Sequence, residues 1–273
     1  MKTFFKLCAL CLLAFPLTAN AAENKAAQLL KARDLYKQSR YEDALKILMP
    51  LAEKGMADAQ YSLAVMYDHG HGLPRDFRKA FEWHARAAKQ GHAGSQYNLS
   101  LMYYQGEGVA QDYKKAFDWC LKSAQQGDAG AQYNLGIMYH QGQGVEKDYK
   151  KAFEWRLKSA ERGNDRAQLQ VGAMYGDGLG VQQDYKKAFE WLSKAAEQGN
   201  AYAQYSLGRV YFTGQGAPKD LVSALKWNII GCASPDLSAN KACADSQAAM
   251  KAKLTPEEIA QAQKQAATFK PSK

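Results

Sequence analysis

The chain has 273 residues, 23 % of them charged, and a formal net charge of +9. That excess is modest for the length, and no run of Lys and Arg exceeds two residues, which argues against a nucleic-acid binder. Beyond residue 22 no apolar stretch is long enough to cross a bilayer, so no integral membrane segment is expected in the mature chain. The charge serves solubility first, and attraction to an anionic surface or acidic partner second.

In chain order, Lys2 and Lys6 precede an apolar run from Leu7 to Leu17, followed by Ala19-Asn20-Ala21. A basic start, a short apolar core and small residues at the end predict a secretory signal peptide over residues 1–21, cleaved after Ala21. The run is too short for a membrane anchor of about 20 residues. Leu10 beside Cys11 does not suit lipoprotein processing. The expected location is the periplasm, with secretion as the second choice. Residues 22–56 then read as an N-terminal capping hairpin, Lys25 to Lys37 and Tyr41 to Lys54, joined by a tight turn at Gln38-Ser39-Arg40.

From residue 57 the chain repeats. Trp83, Trp119, Trp155, Trp191 and Trp227 are its five tryptophans, each 36 residues after the last. The same step links Gln60, Gln96, Gln132, Gln168 and Gln204, and Asp76, Asp112, Asp148, Asp184 and Asp220. A fixed period of this size marks a stacked array of supersecondary units. In the copy from Asp128 to Gly163, Leu135, Met138 and Tyr139 share one helical face. Asp128 is a good N-cap for this first helix. Gly142 and Gly144 follow, supplying the positive φ that a reversal needs. Asp148 caps a second helix, Tyr149 to Ala160, which stops at Gly163. There Ala152, Trp155 and Ser159 share a face, extended by Phe153 and Leu157. Small residues recur on both helices, at Ala64, Ser100, Gly136, Gly172 and Gly208 and at Ala80, Ala116, Ala152, Ala188 and Ala224. They permit close approach, and the aromatic stripe fills the space between neighbouring hairpins as core. Five such units span residues 57–232.

Residues 233–273 close the array. Cys232 and Cys243 flank a turn containing Ser234-Pro235-Asp236, and an oxidising compartment permits a disulfide between them. Cys120 lies outside this pairing, at the place held by His84, Arg156, Leu192 and Asn228 in the other copies, with no shared role implied. A helix from about Ser238 to Lys253 follows. The last begins at Thr255-Pro256-Glu257-Glu258, a capping box with Pro at the first helical position. Ile259, Ala262, Ala266 and Phe269 mark its buried side, and residues 270–273 read as a loose tail.

The pattern Ala-Gln-Tyr-Asn-Leu-Gly-x-Met-Tyr, then Gly-x-Gly-Val, Asp-Tyr-x-x-Ala-x-x-Trp and Ala-x-x-Gly resembles the Sel-one-like repeat (SLR), a relative of the tetratricopeptide repeat. Leu169, Val171, Val210 and Leu225 depart from it modestly. The resemblance implies an all-α fold, a right-handed α-α superhelix of hairpins with helical caps, and a role in protein–protein contact or complex assembly.

Catalytic constellations are not evident. Gly-x-Gly follows a helix in each copy and lacks the strand and third glycine of a nucleotide fingerprint. His69 and His71 have no third ligand nearby, so no metal site is expected. Ser223 and Lys226 form a Ser-x-x-Lys, but its companion motifs are absent. No cofactor is expected. A β-lactam-binding or cell-wall hydrolase role, as described for cysteine-rich relatives, is the alternative, and a secreted host-interaction or virulence factor is another. The cysteine pairs of those relatives are missing here.

Two surfaces remain. Arg78-Lys79, Lys114-Lys115, Lys150-Lys151 and Lys186-Lys187 form a basic ladder at helix starts, opposed to the helix dipole. Local acids compensate it, or an anionic partner does, and the first reading is preferred. The free side of the first helix carries Tyr97, Tyr133, Asn98, Asn134, Gln170, Leu101, Ile137 and Arg209, with Tyr61, Ser62 and Val65 in the first copy. These residues are expected to hold a peptide of another protein, of unknown identity.

Overall fold

A computed structural model describes residues 14–238 and 241–272. Residues 1–13 of the expected leader lie outside them. Helix α1 (Ala14–Lys37) runs without a break past Ala21. Two compact units divide the chain, Met1–Trp119 and Cys120–Lys273. The first holds α1, α2 (Tyr41–Glu53), α3 (Ala57–His69), α4 (Phe77–Lys89) and α5 (Ala93–Gln105). The boundary falls inside α6 (Tyr113–Gln125). The second unit continues with α7 (Ala129–Gln141), α8 (Tyr149–Glu161), α9 (Asp165–Asp177), α10 (Tyr185–Glu197), α11 (Ala201–Thr213) and α12 (Leu221–Cys232). It ends with α13 (Pro235–Ser238), α14 (Lys241–Lys251) and α15 (Pro256–Ala267). Among the described residues there is no strand, and the repeats are helical hairpins.

Capping explains why the helices recur. Asp76, Asp112, Asp148, Asp184 and Asp220 each accept the backbone N–H three residues on, at 2.9–3.0 Å. One such cap contributes about 1 kcal/mol. The helices α5, α7, α9 and α11 are capped in the same way by His92, Asp128, Asn164 and Asn200. Their ends turn on Gly106, Gly142, Gly178 and Gly214 in the left-handed region.

At Gly72, Gly108, Gly180 and Gly216 the second glycine of the pair does something else. A Cβ on Gly108 would lie 2.2 Å from the Phe77 carbonyl oxygen, and one on Gly180 2.1 Å from that of Tyr149. Phe77 and Tyr149 open α4 and α8, the second helices of the preceding copies. So the loop of one copy rests directly on the helix start of the copy before it.

Glutamine supplies the matching contact at the other helix end. Gln60, Gln96, Gln132, Gln168 and Gln204 are buried, and each Nε2 donates to the carbonyl of Ala52, Ala88, Ala124, Ala160 or Ala196 at 3.0–3.2 Å. Those carbonyls lie in the last turn of a preceding helix, where each also accepts the N–H of the glycine three residues on at 3.0 Å. Gln90 and Gln198 extend the bond by donating to Gln60 and Gln168 at 2.7 Å.

Packing departs from the sequence reading at two points. Trp83, Trp119, Trp155 and Trp191 are half-buried, and only Trp227 is core. Arg86, Lys158 and Lys194 lie over three of those rings at 4.2–4.4 Å, one turn further on. The buried stripe of α8 is instead Ala152, Phe153, Arg156, Ser159 and Ala160.

The second unit's end differs in detail. The helix expected over 238–253 starts at Lys241, with the short α13 before it and residues 239–240 outside the description. Cys232 and Cys243 form a disulfide with Cα atoms 5.9 Å apart. The tail is tethered, not loose: Ser272 donates from N and Oγ to the Glu197 carbonyl, at 2.8 and 3.1 Å. Thr255 and Glu258 complete the capping box.

Candidate functional site

The first helices of the copies, α3, α5, α7, α9 and α11, carry the expected partner-binding side chains. Tyr97, Asn98 and Leu101 lie in the first unit, all half-buried. Tyr133, Asn134, Ile137 and Gln170 are half-buried in the second, and Arg209 is exposed there with Ala173. Helical register explains the grading. Leu99, Leu135 and Leu207 point inward and are fully buried, while the series at 65, 101, 137, 173 and 209 rotates outward. In the first unit this face forms a groove of about 350 Å³. Ala32, Arg33, Tyr36 and Lys37 of α1 wall it on one side, Tyr61, Ser62 and Val65 of α3 on the other, with Leu48 below.

One second-helix position abuts this face, and its importance was not legible in the repeat pattern. His84, Cys120, Arg156, Leu192 and Asn228 differ in chemistry, yet all five are buried. Each lies 20 residues after a small residue of the first helix, and the spatial pairing is visible in three copies. A Cβ on Gly136 would meet Arg156 Cγ at 2.6 Å, one on Gly172 would meet Leu192 Cγ at 2.9 Å, and one on Gly208 would meet Asn228 Cβ at 3.3 Å. Glycine there makes room for the larger partner. The signal that could have revealed this was the covariation of small and large residues at two register positions.

His84 shows how this position reaches the exposed face. Its ring nitrogens lie 3.4 Å from Ser95 Oγ and 3.3 Å from Asn98 Nδ2. Tyr61 tilts against it at 5.7 Å and against His92 at 4.6 Å. Burial holds His84 down to a pKa of about 4, assisted by the nearby His92. Burial lowers His92 as well, against the pull of Asp58 at 3.4 Å. Asn98 therefore braces a buried histidine in addition to facing outward.

Arg156 is the unusual member. It is 4 % exposed, its Nη1 lies 3.4 Å from Met174 Sδ, and its Nε has no hydrogen-bond partner. Burial lowers its pKa, with Tyr133 acting in the opposite sense. Beside it His140 Nδ1 is also buried without a partner, and the His140 pKa is lowered by burial, Arg156 and Lys147.

The other features have local explanations. Lys115, Lys151 and Lys187 pair with Asp112, Asp148 and Asp184 at 3.1–3.7 Å. The same ammonium groups, with Lys79, lie 5.3–5.5 Å from the ring centres of Tyr67, Tyr103, Tyr139 and Tyr175. This half of the basic ladder is compensated from within. Ser223 Oγ donates to Asp220 Oδ2 at 2.6 Å, and Lys226 lies over Trp227 at 4.6 Å. That serine completes a helix cap and is not joined to a lysine. His71 stacks on Tyr41 at 4.4 Å and bonds Tyr36 at 2.7 Å. Among the described residues no three His, Cys, Asp or Glu side chains cluster so as to hold a metal ion.

The Sel1 repeat pattern matches the chain five times without a gap, over residues 57–92, 93–128, 129–164, 165–200 and 201–227. No curated protein matches it. Among solved structures, a protective antigen present in uropathogenic Escherichia coli strains, displaying an SLR fold, is 33% identical with a TM-score of 0.80. The likeness covers 90% of this chain and 53% of that one, so this chain spans about half the antigen's length. A Sel1 repeat protein from Oxalobacter formigenes is 30% identical with a TM-score of 0.76, covering 89% of this chain and 100% of the other. Contiguous matches at one period, on hairpins joined by the same caps, glycine contacts and glutamine bonds, make this chain a member of the Sel1 repeat family, generally scaffolds for protein–protein interaction.

Proposed function

We propose that the chain is exported to the periplasm and there holds another protein on the outward side of its first-helix series, without catalysing a reaction. The observation that carries this reading is the grading of that face. Its side chains are half-buried or exposed, mixed in polarity and varied from copy to copy, while the positions beside them are near-uniform and closed. A surface built this way offers shape and hydrogen bonds to a peptide without dismantling the core. The groove of about 350 Å³ along α1 and α3 belongs to this face. Export is supported by the leader and by the Cys232–Cys243 bridge, since disulfides persist in oxidising compartments.

Photo-crosslinking tests the face. A benzophenone amino acid at Ala173 or Arg209 is expected to capture a protein in the producing cell, and one at Glu154 or Glu190 on the second helices is not. Capture from the second helices alone refutes the assignment. Fractionation tests location, with the mature chain expected in the periplasmic fraction. A second reading, release or surface display for contact with a host, draws on the likeness to the protective antigen. Recovery of the chain mainly from culture medium would favour it.

A further inference from the structure

Arg156 sits where a leucine would serve the fold. In the next copy Leu192 occupies the same register, faces the equivalent glycine and is buried to the same degree. Packing therefore does not require the guanidinium. A buried charge without a counter-ion destabilises the protein that carries it, because desolvation is not offset by an opposing charge. Among the described residues no Asp or Glu pairs with Arg156; the side chains that act on it electrostatically are Tyr133 and His140. Its best bond is to the weak thioether acceptor of Met174. Two buried nitrogens, Arg156 Nε and His140 Nδ1, lack partners in the same place. A sequence that breaks a packing rule without local compensation marks a position kept for something else.

The surroundings indicate what that is. Tyr133, Gly136 and His140 lie on one face of α7, at spacings of three and four residues. Met174 places the guanidinium against α9, one turn beyond Gln170. His84 reaches Asn98 from the equivalent position in the first unit, and Gln170 holds the register of Asn98. By this register Arg156 lies beneath the proposed binding face, closed by about one layer of side chains.

We propose that Arg156, with His140 as the second nitrogen, receives the carboxylate of an Asp or Glu side chain from the partner protein. The segment bearing it crosses α7 and α9, flanked by Tyr133 and Gln170. Guanidinium and carboxylate match in geometry and charge, and a pair made in a dry site is strong. The proposed face continues past the site on α7 through Ile137 and on α9 through Ala173, so a passing chain presents a side chain there, not its end. This inference rests on the partner-binding reading of the same face.

The test follows the Arg Nε–H resonances of the full mature chain by NMR while adding acetyl-Ser-Gly-Glu-Gly-Ser-amide. A saturable shift of the Arg156 resonance is expected. Replacing the peptide's Glu with Gln should weaken binding at least tenfold. Arg156→Leu should weaken binding of the Glu peptide, followed by its own line broadening, by the same factor. Its melting temperature should equal or exceed that of the wild type, since it copies the Gly172–Leu192 pair. Equal responses to Glu and Gln peptides, undiminished binding by R156L, or a large loss of stability in R156L would each overturn the proposal. So would a response confined to acetyl-Ser-Gly-Ser-Gly-Ser with a free C-terminus, because a chain end would then be the ligand. Crosslinking from Ala173 and Arg209 that survives such a failure would leave the partner-binding face standing without its carboxylate site.

Discussion

At the scale of single residues, the variable buried position of the second helix is where this repeat departs from uniformity. His84 gives a measurable case. Its folded pKa of about 4 lies below the usual value of 6.5, because burial disfavours the imidazolium. As pH falls below 6.5 the unfolded chain takes up a proton that the folded chain refuses. Stability is therefore full above 6.5 and declines towards pH 4, by up to about 3 kcal/mol from this group. His92 and His140 act in the same direction. His84→Leu, which copies the residue held at this register by Leu192, is expected to remove the largest share of this acid sensitivity. Urea titrations of both proteins at pH 7 and pH 4.5 measure it, and an unchanged difference between the two pH values would refute the assignment. The histidine itself was visible in the sequence. Its burial was not, because the residues aligned with it across the copies share no chemistry.

At the scale of elements, the hairpins were largely legible. Aspartate before a helix and glycine after one are local signals, satisfied by the chain's own backbone within a few residues. What the local signals hid was the division of labour between glycines that only end a helix and glycines that also meet a neighbouring copy. Gly91 has φ +93° with open space where a side chain would stand, so Gly91→Ala should cost only the left-handed backbone penalty, about 1–2 kcal/mol. Gly108 has φ +70° and a carbonyl oxygen 2.2 Å from the added carbon. Gly108→Ala is expected to cost at least twice as much, because the loop must lift off α4. Comparing their denaturation midpoints decides it, and similar midpoints would show that the loop gives way freely. The periodic glutamines were equally visible and equally unexplained, since their acceptors belong to the preceding helix.

At the scale of the whole molecule, each hairpin relies on its neighbour. Glutamine bonds, glycine contacts and the Ala-rich helix faces all act between successive copies, so stability accumulates from adjacent interfaces. The ends are where such an array is open. Trp227 lies against Phe269 at 5.2 Å, and the disulfide joins the end of α12 to α14. The bridge closes a loop of 11 residues' separation, which in the chain-entropy account contributes about 3 kcal/mol. Replacing Cys232 and Cys243 with Ala should therefore loosen α12 to α15 first. Hydrogen exchange is expected to rise there while the amides of α3 and α4 keep their protection. A uniform rise along the chain would mean that the cap governs the whole array.

The amino-acid sequence by itself determined the period, the helix pairs, their caps and the family, because each of these depends on residues a few positions apart and is written five times. Only the tertiary structure decided which side chains lie between the hairpins. That outcome depends on the distance of closest approach of two helices, a matter of glycine against bulk at positions 20 residues apart, which no single-helix periodicity contains. It is why a tryptophan stripe expected as core is half-open, and why an arginine expected at no particular site is buried beside the proposed binding face.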